Sequence, residues 1–165
     1  MIMIDFDIED VLNELEDLST QEKIKALNEI YDQLEEAMSE VLSAQEEIAE
    51  QYNQEKRKQI DAAIQKYVED NSIQNAIRIE NGVIGFDYKD FCVCIQPHAY
   101  MGEWELTISL TRTNSHWKLE EIAKTINVPY KKNNDIHIPV SEDELIPKIL
   151  EILQKLLFNQ IVFQQ

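Results

Sequence analysis

The first 81 residues contain neither glycine nor proline. These two are the residues a helix interior tolerates least, at about 1 and 3 kcal/mol against alanine. The same stretch is rich in Glu, Gln, Lys, Leu and Ala, so it is helical by propensity. One internal break is expected. Ser19 and Glu22, in S-T-Q-E, fit a capping box. A short helix over about residues 7–17 should therefore end near Leu18, and a long one should begin at Thr20.

The long helix has a regular apolar spacing. Steps of three and four from Ile24 give Ile24, Leu27, Tyr31, Leu34, Met38, Val41, Gln45, Ile48 and Tyr52, of which Gln45 alone is polar. A sustained period of 3.5 residues is the mark of a coiled-coil seam. Ile30, Ala37 and Ala44 recur at seven and widen the stripe, which implies more than one packing partner. Beyond Glu55 the apolar positions shift to Ile60, Ile64 and Tyr67, as at a stutter. About fifty residues at ~1.5 Å each reach ~75 Å, too long to be buried against a small domain. The short first helix covers only part of that length, so the seam is expected to hold a homo-oligomer together.

Charge limits the partners. There are 32 acidic and 15 basic residues, a net of −17. Residues 1–70 hold 20 acids and 6 bases, and residues 71–165 hold 12 and 9. Such a field repels nucleic acid and anionic membranes and attracts basic protein surfaces. Direct nucleic-acid binding is not expected on this ground. The acidic pairs Glu35-Glu36 and Glu46-Glu47 sit on the outer faces of the helix and are the candidate partner-binding residues, with solvated surface as the plain alternative. Lys56-Arg57-Lys58 is expected to pair with glutamates of a neighbouring helix. No apolar run approaches the ~20 residues of a membrane span. The N-terminal MIMIDFDIEDV has acids where a secretory signal carries Lys or Arg. With two cysteines only, a cytoplasmic location is expected.

All three glycines and four prolines fall between Gly82 and Pro147, where the pattern changes to strands. Residues 76–80 (AIRIE) and 83–88 (VIGFDY) flank Asn81-Gly82, the strongest short hairpin signal. Residues 91–96 and 104–112 continue an antiparallel meander. Residues 116–126 read as a helix capped by Asn114 or Ser115, and residues 135–140 as a short edge strand with a proline. Ser141 and Glu144 form a second capping box before the last helix, in which Pro147 calls for a kink or a later start. The fold class is α+β. A helical, coiled-coil oligomerisation segment (1–70) leads into a globular head (71–165) of a β-meander and two helices, which should fold without the stalk.

One stretch, FCVCIQPH at residues 91–98, raises a chemical question. Cys92, Cys94 and His98 would be the residues of a metal- or thiol-dependent enzyme. The spacing argues otherwise. Two cysteines at i and i+2 of a strand point the same way, about 6.6 Å or more apart, a poor geometry for a disulfide. A closed zinc site needs four ligands, and redox pairs use two intervening residues. The stretch reads as a central strand covered on both faces. Gly-rich phosphate loops, G-x-S-x-G and H-E-x-x-H are absent, and no cofactor is expected. Trp104, Tyr100 and Trp117 are the interface anchors by residue type, with core as the alternative. The chain thus reads as a non-enzymatic, acidic, oligomeric interaction protein for a basic protein partner, in the manner of an inhibitor or nucleic-acid mimic. A client-specific chaperone or adaptor is the alternative within the same class.

Overall fold

The computed structural model describes residues 7–100, 103–111, 116–132 and 134–158, with the side chains of Tyr100, His116 and Trp117 outside that description. Two compact units are present, Met1–Glu50 and Gln51–Gln165. The elements are α1 (Ile8–Glu14), α2 (Thr20–Asp70), β1 (Ile77–Glu80), β2 (Val83–Tyr88), β3 (Phe91–Tyr100), β4 (Glu103–Thr111), α3 (His116–Ile126), β5 (Ile136–Val140) and α4 (Glu142–Leu153). A π-helical turn, Gln154–Phe158, follows α4 directly. The fold is α+β, with a short and then a long helix before the strands, the first two of which flank Asn81-Gly82, as the sequence pattern requires.

Local chemistry sets the element ends. Asp7 caps α1 by accepting the Glu9 N–H at 2.8 Å. At the start of α2 the capping box closes in both directions. Glu22 N–H donates to Ser19 Oγ at 3.4 Å, and Ser19 N–H donates to the Glu22 carboxylate at 2.9 Å. At its other end α2 stops without glycine or proline. Ser72 takes φ +56, its N–H bonds to Glu69 O at 3.1 Å, and Ile73 N–H bonds to Val68 O at 3.0 Å. That pair of bonds is a Schellman motif with serine in the left-handed position. Asn127 ends α3 the same way, at φ +59. The α3 cap expected at Asn114 or Ser115 lies outside the described residues. The second capping box is only partly formed: Ser141 Oγ donates to Glu144 Oε2 at 2.9 Å, but the Ser141 side chain makes no capping bond to the helix backbone. Helix α4 begins at Glu142 and carries Pro147 within it, so no later start is needed.

The five strands form one antiparallel sheet in the order β1-β2-β3-β4-β5. Asn81 and Gly82 both have positive φ, +52 and +79, as a two-residue type I′ turn requires. Alternation puts Ile84, Phe86, Val93, Ile95, Leu106 and Ile108 on one buried face. Helical residues pack with that face in a single core: Ile60, Ile64 and Val68 of α2, Ile122 of α3, and Leu145 and Ile149 of α4. The core thus includes three residues that precede position 71, and the second unit takes in the last turns of α2.

The opposite face of the sheet carries Asp87, Gln96, His98 and His137, all exposed. The expectation that FCVCIQPH is covered on both faces is therefore corrected. β3 is the central strand, with Phe91, Val93 and Ile95 buried, but Cys92 and Cys94 are only half-buried on the polar side. The strand is also longer than expected, because it continues through Pro97 to Tyr100. The β2 register ends at Ile84–Ile95, so Pro97 pairs only with Leu106 of β4. Its missing N–H falls where no strand needs it.

Candidate functional site

In the first unit, α2 presents an apolar stripe to water. Every residue from Tyr31 to Glu50 is exposed. Within it and just before it, Ile24, Leu27, Tyr31, Leu34, Met38, Val41, Leu42 and Ile48 are each 42–67% exposed. Together they present on the order of 900 Å², more than the ~300–600 Å² of the largest patch on a typical monomer. Leu42 is an addition to the seam named from sequence, and it lies one heptad before Ala49 on the flank. Only Lys23, Ala26 and Ile30 are half-buried in this part of α2, at three- and four-residue spacing. Leu15 is the buried apolar residue among the described part of the unit.

Acids avoid this stripe. On the 3.5-residue period, Glu22, Glu29, Asp32, Glu36, Glu40, Glu46, Glu47 and Glu50 occupy the three positions farthest from it. Glu35 alone flanks the seam. Glu35, Glu36, Glu46 and Glu47 are all exposed, in a spaced row along one helix. The flank positions are otherwise Asn28, Leu42 and Ala49 on one side and Lys23, Ile30, Ala37 and Ala44 on the other. The helix therefore separates an apolar face from an anionic one.

Tyr52, the last seam position, belongs to the second unit and has local partners. Its hydroxyl donates to the Glu142 carboxylate and accepts the Trp104 indole N–H. Lys56 reaches the same carboxylate at 3.2 Å. The Tyr52 hydroxyl and then the Lys56 ammonium hold the Glu142 carboxyl below its ordinary value, while the carboxylate pushes the Tyr52 phenol up. Of the basic triplet, Lys56 thus pairs with a helix, but with α4 of the same chain. Trp104 is only 3% exposed, which corrects its assignment as an interface anchor. It shares the covered face with Leu106 and Ile108, and its indole N–H is satisfied internally. Tyr100 pairs with Glu103 in the backbone register, and its side chain lies outside the described residues, as does that of Trp117.

On the open face of the sheet, Cys92, Cys94 and His98 point the same way but are strung along one strand. Cys92 and His98, six residues apart, are separated by about 20 Å. Among the described residues no three His, Cys, Asp or Glu side chains converge as metal ligands, so the three-ligand arrangement is not formed. Both cysteines are free. Arg78 Nη2 donates to Cys92 Sγ at 3.0 Å and lies 3.9 Å from Asp87. The guanidinium crosses Gly85 on the way, where a Cβ would come within 3.7 Å of Arg78 Nε. Burial chiefly pushes the Cys94 thiol up, with Cys92 adding to the rise and a Ser109 hydrogen bond opposing it. A raised thiol is a weaker nucleophile at neutral pH. Sequence reasoning missed the Glu105–His137 pair, at 2.7 Å between neighbouring strands. Its signal was the shared alternation of Thr107, Glu105 and His137 on polar faces. Among the described residues no helix is long and apolar enough to cross a membrane. Comparison with family models, curated proteins and solved structures finds no match for this chain.

Proposed function

We propose that this chain is a non-enzymatic interaction protein that self-associates through α2 and receives a basic protein partner on its acidic surface. The observation that carries the reading is the exposed apolar stripe from Ile24 to Ile48, with the carboxylates held away from it. One partner in a stable interface contributes about 800 Å², close to the area this stripe presents. Once the stripe is covered, Glu36, Glu46 and Glu47 still face water, offering a basic surface a line of carboxylates. A protein of this kind acts as an antagonist, occupying a basic surface that otherwise serves nucleic acid. Two unpaired cysteines fit a reducing compartment, and we place the protein in the cytoplasm.

A client-specific chaperone or adaptor is the second reading. It is supported by a groove of about 420 Å³ between β5 and α4, floored by Val128, Ile138 and Val140 and rimmed by Glu144, Lys148 and Glu151. Light scattering on the full chain tests self-association, which both readings require. The parent is expected to be a multimer at tens of micromolar. Leu34→Asp with Val41→Asp puts two charges where the seam has to be dry, at a cost of several kcal/mol, and should give a smaller species. A monomeric parent would overturn the proposal.

A further inference from the structure

Gln45 is the single polar residue in the α2 seam, and we propose that it sets the direction of self-association, so that two copies of α2 run parallel with Gln45 beside Gln45. This rests on self-association through the stripe, as proposed above. The occupant of the stripe is a second copy of this chain for two reasons. The exposed apolar area matches what one partner brings to a stable interface. The flanks, among them Ile30, Ala37, Leu42 and Ala44, offer almost no acid to a basic helix, whereas a like apolar flank fits them. The acids of a second copy would face outward as these do.

Direction then follows from the amide. In a parallel, in-register pair every seam residue meets its own counterpart, so Gln45 meets Gln45. Each carboxamide has donors and an acceptor, and two of them satisfy each other across the seam. The antiparallel alignment with full overlap sets Ile24 against Ile48 and Gln45 against Leu27. Both amides would then be buried against leucine with no partner, at the full cost of their desolvation. The same alignment brings Glu35 toward Glu35, like charge to like, whereas the parallel one sets Glu35 beside Ile30. A parallel slip of one heptad fails as well, because it places Gln45 against Met38. A lone polar residue in a seam is the best attested device for fixing register.

Disulfide trapping in the full chain tests this, with Cys92→Ser and Cys94→Ser removing the native thiols. Ile24→Cys and Ile48→Cys, which leave Gln45 in place, are made singly and oxidised gently, each alone and as an equal mixture. Parallel association links most of each single variant to itself. The mixture gives no Ile24-to-Ile48 link, because those positions lie ~36 Å apart along the helix. The reverse pattern, links in the mixture only, would overturn the direction while self-association stands. A monomer by light scattering overturns both statements, and so separates failure of the reading from failure of the direction. Adding Gln45→Leu to the Ile24→Cys chain should cut its self-linking to roughly half, since both directions then bury only apolar groups. An unchanged yield would overturn the role of Gln45.

Discussion

In the hairpin between β1 and β2, Gly82 sits at φ +79, where a side chain is strained. Its N–H donates to Asp61 Oδ1 of α2 at 2.7 Å, and a Cβ there would lie 2.9 Å from Arg57 Cγ. One residue thus turns the chain and lets α2 approach the turn. Gly82→Ala should cost about 1–3 kcal/mol, and Gly82→Val more, with the valine methyls meeting Arg57. Thermal unfolding of residues 51–165 should show the alanine variant melting roughly 5–15 °C lower. An unchanged midpoint would mean that α2 yields freely at Arg57. The turn was legible in Asn-Gly, because few other pairs accept two positive φ values. Its contact with Asp61 was not, because 21 residues separate the partners and no periodicity links them. Trp104 marks the opposite case. Residue type suggested an anchor, while its alternation with Leu106 and Ile108 already placed it on the buried face.

Elements show the same division. The box at Ser19–Glu22 and the β-meander could be read from short-range chemistry, and both are present. The cap that ends α2 could not, since serine in the left-handed position is no breaker in the sequence. Nor could the open face of β3, because cysteine suits a buried strand as well as a half-exposed one. The last turns of α2 carry the most consequence. Ile60, Ile64 and Val68 are 0%, 0% and 2% exposed and belong to the core under the sheet. Losing one buried isoleucine to alanine costs about 2–5 kcal/mol, and a domain of this size holds only about 5–15 kcal/mol. A fragment of residues 71–165 lacks all three, whereas residues 51–165 retain them. Denaturant unfolding followed by circular dichroism should give a cooperative transition for the longer fragment and none for the shorter. A cooperative 71–165 fragment would mean that α2 only decorates the core.

At the scale of the whole molecule, the proposed function assigns charge and apolar surface to different partners. The net charge of −17 is carried mostly by residues 1–70, with 20 acids against 6 bases. A basic protein approaching that field is steered toward it, and the steering weakens as salt shortens the screening length from ~10 Å at 0.1 M to ~3 Å at 1 M. The proposed self-association through the apolar stripe should respond to salt in the opposite sense, because screening relieves the repulsion between two acidic copies. The two contacts are therefore separable in one titration. Proteins captured from a lysate by immobilised parent chain at low salt should be rich in basic ones and should be lost by ~1 M salt, while light scattering shows the multimer intact. Replacing Glu35, Glu36, Glu46 and Glu47 by Lys moves the net charge of residues 1–70 from −14 to −6. It touches no apolar seam position, so helicity and the multimer should persist while the basic proteins are lost. Capture that is flat against salt and unchanged in the variant would leave these carboxylates as solvated surface, and would move partner binding to the second unit.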